Sequence, residues 1–558
     1  MIKSRLKKYI DACFQRGVEL GYWSAVAAGN YAVEYPKFEG QGDFATNAAM
    51  VISGVEKKAS GRKINPRQVA EQLVSVMGMT SELYDKVEIA GPGFVNFFIR
   101  ESVWQSVVPE VCARKESFGR AAEKKGKRAL VEFVSANPTG PLSVGHGRQA
   151  VLGDAIARLL QASGFDVERE YYYNDAGRQM RVLGESTRAR YLELLGLPHQ
   201  FPEDGYQGQY IYDIARGLVE KSGDSLKDTA DVTPFKEAAE KAIFADIDQT
   251  LKRLDIAFDT YYNEHSLYEN GLVDDVVSAL REKGLVYEKE GAVWFKTTEF
   301  GQEQDRVIIK SSGEPTYRLP DIAYHREKFK RGYDWMVDIF GSDHIATVPD
   351  VLAGVKALGY DESKVTVVLH QFVTLMRDGQ QVKMSTRKAN FVTVDELLDE
   401  VGVDAARFFF LMRKADSQLE FDLDLATKQS QENPVYYVQY GHARLASIAR
   451  QAEEKGVKAG ELAAARLSLL TSPEEQKILK AIAAYPALVQ DAAAELAPHK
   501  IVYFLQELAA LFHSYYNKHK VLSDDAALSS ARLWFCESLR VVFHNGLVLL
   551  GMSAPEQM

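Results

Sequence analysis

Two segments carry residue types that can work on phosphates. The first runs from Glu132 to Asp154 and reads EFVSANPTGPLSVGHGRQAVLGD. Gly140 and Gly145 permit tight turns there, and His146 can donate a hydrogen bond to a phosphate oxygen. A turn at the carboxyl end of a strand, opening a helix, also presents backbone N–H groups that favour anions. The second segment, QVKMSTRKAN at 381–390, gathers Lys383, Ser385, Arg387 and Lys388 in one loop. Taken singly, both have ordinary explanations: a Gly-His turn packs or caps, and a basic loop is solvated surface. Together they are the two halves of a nucleotide site.

The flanking pattern says what must hold these segments. ALVEFV at 129–134 reads as a short buried strand. After the Pro/Gly-rich loop, Leu152, Ala155, Ile156, Leu159 and Leu160 form one apolar stripe at helical spacing, and Gly164 stands where a C′ residue belongs. Phe165 to Tyr173 alternates as a second strand. This β–loop–α–β order predicts an α/β, doubly wound parallel sheet of the Rossmann type. Residues from about 185 to 260 read as a mainly helical insertion. The sheet pattern is expected to resume at VYEKEGAVWF and again at KVTVVLH (364–370), before a turn at Arg377-Asp378-Gly379.

Three domains are expected: an α+β unit at 1–122, the Rossmann-like unit at 123–424, and an α-helical bundle at 425–558. The first opens with an amphipathic helix, contains strand-like runs such as Lys86 to Ile99, and ends in RKESFGRAAEKKGKR. That run, residues 114–128, has seven basic and two acidic side chains. It reads as a solvated linker at its ends and as a strip able to contact phosphates. The last unit is rich in Ala and Leu and periodic at helical spacing, with no internal repeat of fixed period.

Composition bounds the function. The chain has 558 residues, with 46% hydrophobic and 26% charged, which excludes a collagen-like, low-complexity or wholly disordered polymer. Its formal net charge of −10 excludes a uniformly basic nucleic-acid binder but allows a local basic face. Cys13, Cys112 and Cys536 are far apart, without a CxxC pair, so neither a disulfide framework nor a Cys-rich zinc site is expected. No apolar run approaches the ~20 residues that span a bilayer. The first residues lack the apolar core of a signal peptide, and a cytoplasmic location is expected.

The motifs also resemble a known family. GPLSVGHGR resembles the HIGH motif of class I aminoacyl-tRNA synthetases, and Lys383-Met384-Ser385-Thr386-Arg387 resembles their KMSKS loop. More narrowly, EFVSANPTGPL with VGHGR is similar to the arginyl-tRNA synthetases. So are GDFATNAAM (42–50), VEIAGPGFVNFFI (87–99), PTYRLPDIAYH (315–325), YYVQYGHARL (436–445) and the closing SAPEQM. Two positions depart from the pattern: Ser143 replaces the first His of HIGH, and Thr386 the second Lys of KMSKS.

The resemblance implies activation of arginine by ATP and transfer to the terminal adenosine of its tRNA, with activation depending on bound tRNA. It assigns His146 and Lys383 the leading catalytic roles, with Ser143, Ser385 and Arg387 beside them. Gly145, His146, Gly341, Asp343, His344, Lys383 and Met384 would bind ATP. Asp343 has a second reading, as a helix N-cap.

Glu132, Asn137, Tyr317 and Asp321 would hold arginine. The physical case for Glu132 is that an acidic residue in an apolar strand needs a cationic partner, and a guanidinium is one. Its plainer role is in an ion pair within the protein. Phe94 and Asn96, Tyr437, Tyr440 and Tyr516, and the terminal Met558 fall on tRNA-binding positions. Mg2+ is expected with ATP as substrate, with no zinc, no tightly bound cofactor and no dedicated metal cage. The partners are tRNA, L-arginine and ATP, acting on a monomer. A synthetase for glutamate or lysine, or a non-catalytic tRNA-binding paralogue, are the alternatives.

Overall fold

A computed structural model describes the chain except residues 1, 25–30, 37, 39, 123, 383–391 and 463–464. At the N-terminal end, strands β1 (Val33–Glu34), β2 (Phe44–Thr46), β3 (Tyr84–Ala90) and β4 (Phe94–Ile99) form an antiparallel sheet ordered β1-β2-β4-β3. Val95, Phe97 and Ile99 alternate onto the face that packs against helices Ile2–Glu19, Ala48–Ser60 and Pro66–Met77, where they join Leu6, Ile10 and Leu73 in one core. Phe94, Asn96 and Phe98 are left on the other face.

The next strands are β5 (Arg128–Glu132), β6 (Asp166–Tyr173) and β7 (Thr260–Asn263), then β8 (Val286–Lys289), β9 (Ala292–Phe295) and β10 (Arg306–Ile309). After them come β11 (Trp335–Gly341) and β12 (Val365–His370). Five of these form an all-parallel sheet ordered β12-β11-β5-β6-β7. The chain winds outward from β5 to β7 and then returns to the other side of β5, so the order reverses between β5 and β11. Ligands of open α/β sheets bind at the carboxyl ends beside such a reversal.

One expectation is corrected. VYEKEGAVWF does not resume the parallel sheet: β8 and β9 are an antiparallel hairpin in a separate sheet ordered β10-β9-β8. Glu290 and Gly291 both have positive φ (54° and 73°), the two-residue turn that joins antiparallel neighbours. A parallel neighbour would need a crossover of a dozen or so residues, for which there is no chain here. The Arg377-Asp378-Gly379 turn joins β13 (Val373–Arg377) to β14 (Gln380–Gln381), with β15 (Leu419–Asp422) parallel to β13 on its other side.

Helix α1 (Val144–Ala162) crosses from β5 to β6, and Gly153 lets it settle onto the strand, since a Cβ there would collide with the Phe133 ring. The expected single apolar stripe is wider in fact. α1 is buried on nearly every side, Arg148 and Asp154 included, because the C-terminal bundle covers the face turned away from the sheet. The insertion is helical, as Gly177–Leu194, Gln209–Ser222 and α2 (Thr233–Arg253). Helix α3 (Arg318–Lys330) precedes β11, and α4 (Val403–Leu411) precedes β15. The last region stacks α5 (Pro434–Glu454), Pro473–Ala494, α6 (His499–Lys518) and α7 (Ala526–Leu549).

The basic run at 114–128 also differs from expectation, because its ends are docked. Phe118 is buried against Tyr485, and Asn545 donates to the carbonyls of Lys115 and Phe118 at 2.9 and 3.0 Å. Lys127 pairs with Asp334 at 2.8 Å, and the Arg128 guanidinium lies 4.4 Å over the Tyr333 ring. Between these anchors Lys115, Glu116, Ser117, Arg120, Lys124 and Lys125 face solvent. Among the described residues, no helix is long and apolar enough to cross a membrane.

Candidate active site at the carboxyl edge of the parallel sheet

Ser143 holds the N-cap of α1. Its backbone N–H donates to His146 Nδ1 at 3.2 Å, and its hydroxyl lies 3.2 Å from the same nitrogen. With Nδ1 accepting, the ring proton resides on Nε2, which is left to face a ligand. Burial lowers the His146 pKa, so the imidazole is a neutral donor near pH 7. His146 therefore caps the helix and still offers a hydrogen bond. Gly145 has room around it, for an added Cβ would meet Ser143 Oγ at 3.7 Å.

Lys383, Met384, Ser385 and Arg387 lie outside the described residues. The chain leaving that loop is nonetheless fastened to the α1 turn. Val394 N–H donates to the Leu142 carbonyl at 2.8 Å, Val144 N–H donates to Val392 at 3.4 Å, and Ser143 bridges to Thr393. The exit of the basic loop and the Gly-His turn thus share one place.

Beside them, β11 ends at Gly341, paired with His370 of β12. Gly341 is the N-cap of the short Ser342–Ala346 helix, so the capping role offered for Asp343 is corrected. Asp343 and His344 are exposed, and the His344 ring stacks on Phe340 at 5.1 Å. His370 was missed in the sequence. Burial, with Arg148 and His146 nearby, pushes its pKa down to about 4, which keeps it neutral. The available signal was a histidine ending an apolar strand in a parallel sheet.

The carboxylates divide into two groups. Glu132, the last residue of β5, lies opposite Asp338 of β11, and both reach Lys328 of α3, at 2.5 and 2.7 Å. Glu132 also accepts from Ser135 Oγ at 3.0 Å, and His325 Nε2 reaches Asp338 at 2.9 Å. Glu132, expected to meet a substrate guanidinium, thus already has a cationic partner within the protein, Lys328. Burial opposes the charge on Asp338, but Lys328 and His325 hold its carboxyl well below the usual range.

Asp321, in the first turn of α3, forms no side-chain hydrogen bond or ion pair among the described residues. Burial pushes its pKa up to about 7; His325 eases that shift, while Glu264 and Glu132 add to it. Glu264, just beyond β7, accepts from Tyr172 OH at 2.9 Å, and burial raises its pKa as well. Nothing in the local sequence marked Glu264, which follows a four-residue strand after the insertion.

Asn137 is engaged at both ends, donating to Gln179 at 3.0 Å and accepting from the Asn174 N–H at 3.0 Å. Tyr317 precedes α3 and is 83% exposed.

Two further surfaces hold the residues expected to read RNA. Phe94, 40% exposed, and Asn96, buried at 4%, lie two apart on the outer face of the N-terminal sheet. In the bundle, Tyr437 packs on His513 at 4.5 Å, and Tyr440 and Tyr516 sandwich the Arg444 guanidinium at 4.5 Å from each ring. Arg444 also donates to Tyr440 OH at 2.7 Å and has no carboxylate partner among the described residues. Its position one turn past Tyr440 was legible, but its place between the rings was not. The chain ends in Met558, half exposed.

Comparison with known proteins agrees with this arrangement. Residues 2–99 match the arginyl tRNA synthetase N terminal domain, 107–422 the class I (R) tRNA synthetase catalytic domain, and 438–558 the DALR anticodon binding domain. The chain is 63% identical over 558 residues to the arginine–tRNA ligase of Desulfotalea psychrophila, covering 100% of both. It is 48% identical over 560 residues to that of Syntrophotalea carbinolica, again covering 100% of both.

A solved putative arginyl-tRNA synthetase from Campylobacter jejuni is 33% identical and superposes with a TM-score of 0.76, covering 82% of this chain and all of that one. The Thermus thermophilus arginyl-tRNA synthetase, 22% identical, shares the fold over the full length of both chains with a TM-score of 0.75. The chain belongs to the arginine–tRNA ligase family of class I tRNA synthetases.

Proposed function

We propose that this chain joins L-arginine to the terminal adenosine of its tRNA, through an arginyl adenylate made from ATP with release of pyrophosphate. One observation carries the reading. The His146 turn and the exit of the Lys383-to-Arg387 loop are hydrogen-bonded together on the sheet edge to which Asp321 and Glu264 bring carboxylates without a cation.

A guanidinium is planar and permanently charged, so two carboxylates of this kind are its natural receptor. Asp321 and Glu264 take the guanidinium, Glu132 and Lys328 support the floor beneath them, and Asn137 and Tyr317 border the rest of the amino acid. The arginine carboxylate then attacks the α-phosphorus of ATP in line. The 2′-hydroxyl of the terminal adenosine, the usual acceptor in class I, completes the transfer.

No enzyme nucleophile is needed. Positioning and charge stabilisation do the work, supplied by the α1 N-terminus, Ser143, Gly145, His146, Lys383, Ser385 and Arg387. Gly341, Asp343, His344 and Met384 border the nucleotide, and Mg2+ arrives on the triphosphate. Residues 1–122, with Phe94 and Asn96, and 425–558, with Tyr437, Tyr440, Tyr516 and Met558, hold the tRNA. The enzyme works as a cytoplasmic monomer. Aminoacylation of arginine-accepting tRNA with arginine, lysine and glutamate tests this: better charging by lysine or glutamate overturns it. Lys383→Ala is expected to cut turnover sharply while tRNA binding stays nearly intact.

A further inference from the structure

Arg407, on α4, is fully buried, and each arm of its guanidinium goes to a different part of the fold. Nε donates to the Leu550 carbonyl just past α7 at 2.9 Å, and Nη1 to the Leu254 carbonyl just past α2 at 2.7 Å. Nη2 donates to the Asp154 carboxylate on α1. Asp154 also receives Arg158 at 2.7 Å and lies 3.6 Å from Arg169. The chain leaving α7 is pressed onto this guanidinium: Gly551 has φ of +70°, and a Cβ there would collide with it.

One turn earlier on α4, Asp404 accepts from the Ser553 N–H at 3.0 Å and from Gln439 of α5 at 2.7 Å. The tail then runs along α5. His442 bonds the Pro555 carbonyl at 2.9 Å, and Arg450 donates to Glu556 O at 3.0 Å. The helix it follows, α5, also carries Tyr437 and Tyr440. In the other direction Asp154 lies eight residues along α1 from His146, about 12 Å on a rigid helix.

The geometry points to Arg407 as a positioning residue that couples the tRNA-reading tail and α5 to the placement of α1, and so of His146 at the ATP site. This rests on the function proposed above. Stability alone does not account for the group, since apolar residues of similar volume commonly replace a buried ion pair without loss. A planar fork with fixed donor directions instead sets three backbone elements in one mutual orientation.

The test uses the full enzyme with two transcripts, arginine tRNA and the same tRNA with its middle anticodon base changed. Arginine-dependent pyrophosphate exchange, kcat and KM for aminoacylation, and tRNA Kd are measured for the wild type, Arg407→Lys and Asp404→Asn. Arg407→Lys is expected to reduce the wild-type preference for the unchanged transcript by about tenfold or more, through kcat, with Kd nearly constant. Asp404→Asn weakens the tie of α4 to the tail and to Gln439 of α5 while leaving Arg407 in place, and should reduce it about threefold. It decides the matter if Arg407→Lys fails to fold.

Equal rate losses on both transcripts, or a Kd that rises as kcat/KM falls, would mean that Arg407 only holds the fold together, which overturns the proposal. A wild type that does not distinguish the transcripts removes the tRNA-reading assignment itself, a separate and recognisable failure that takes the coupling with it.

Discussion

Two pairs of carboxylates lie near each other at the carboxyl edge of the sheet and have opposite surroundings. Glu132 and Asp338 have Lys328 within 2.7 Å of each, and His325 adds to Asp338. Asp321 and Glu264 have no cation at ion-pair distance among the described residues, and burial raises the pKa of both. The first pair has its charge answered by the protein; the second does not, and it is the pair to which we assign the arginine guanidinium. The difference is carried by α3, which turns Lys328 inward beneath the sheet edge and leaves Asp321 one turn from its start.

Removing the internal cation should have the largest effect. Lys328→Met leaves buried Glu132 without a cation and Asp338 with His325 alone, and is expected to lower the unfolding free energy by about 3–5 kcal/mol, read from urea denaturation. Asp321→Asn should instead leave stability unchanged or slightly raised while lowering kcat/KM for arginine about 10²–10³-fold. If the two substitutions behaved alike in both measurements, the division between the pairs would be wrong. Glu264→Gln, where Tyr172 still satisfies one oxygen, should cost about 10–100-fold in the same parameter with tRNA KM unchanged.

The smallest effect is a pH dependence. Folded Asp321 titrates at about 7 against a usual 3.8, so the folded state holds the extra proton between those values. Its contribution to stability is present at low pH and is lost as pH rises through about 7. Arginine favours the ionised form, so its affinity should rise about fourfold between pH 6.5 and 8, with proton release on binding measurable in two buffers. Asp321→Asn should flatten that profile.

The sequence reading reached the parallel sheet because strand, turn and helix periodicities around 129–173 are local signals. It missed the separate β8–β10 sheet, because short apolar runs do not reveal their partners. It also named Glu132 as needing a cation, but not that Lys328 is one. Lys328 stands 196 positions away in the chain, and no spacing rule joins them.

By itself, the amino-acid order determined the chemistry on offer: a Gly-His turn at a helix start, a basic loop, acids set in apolar strands and aromatic helices. Those follow from backbone propensity and side-chain type, which act over a few residues. Only the tertiary structure decided which acids stay unpaired, that His370, Glu264 and Arg444 join the candidate sites, and that Arg407 touches three distant elements. Burial and ion pairing depend on what the fold brings within a few ångströms, and residues far apart in the chain become neighbours only when it closes.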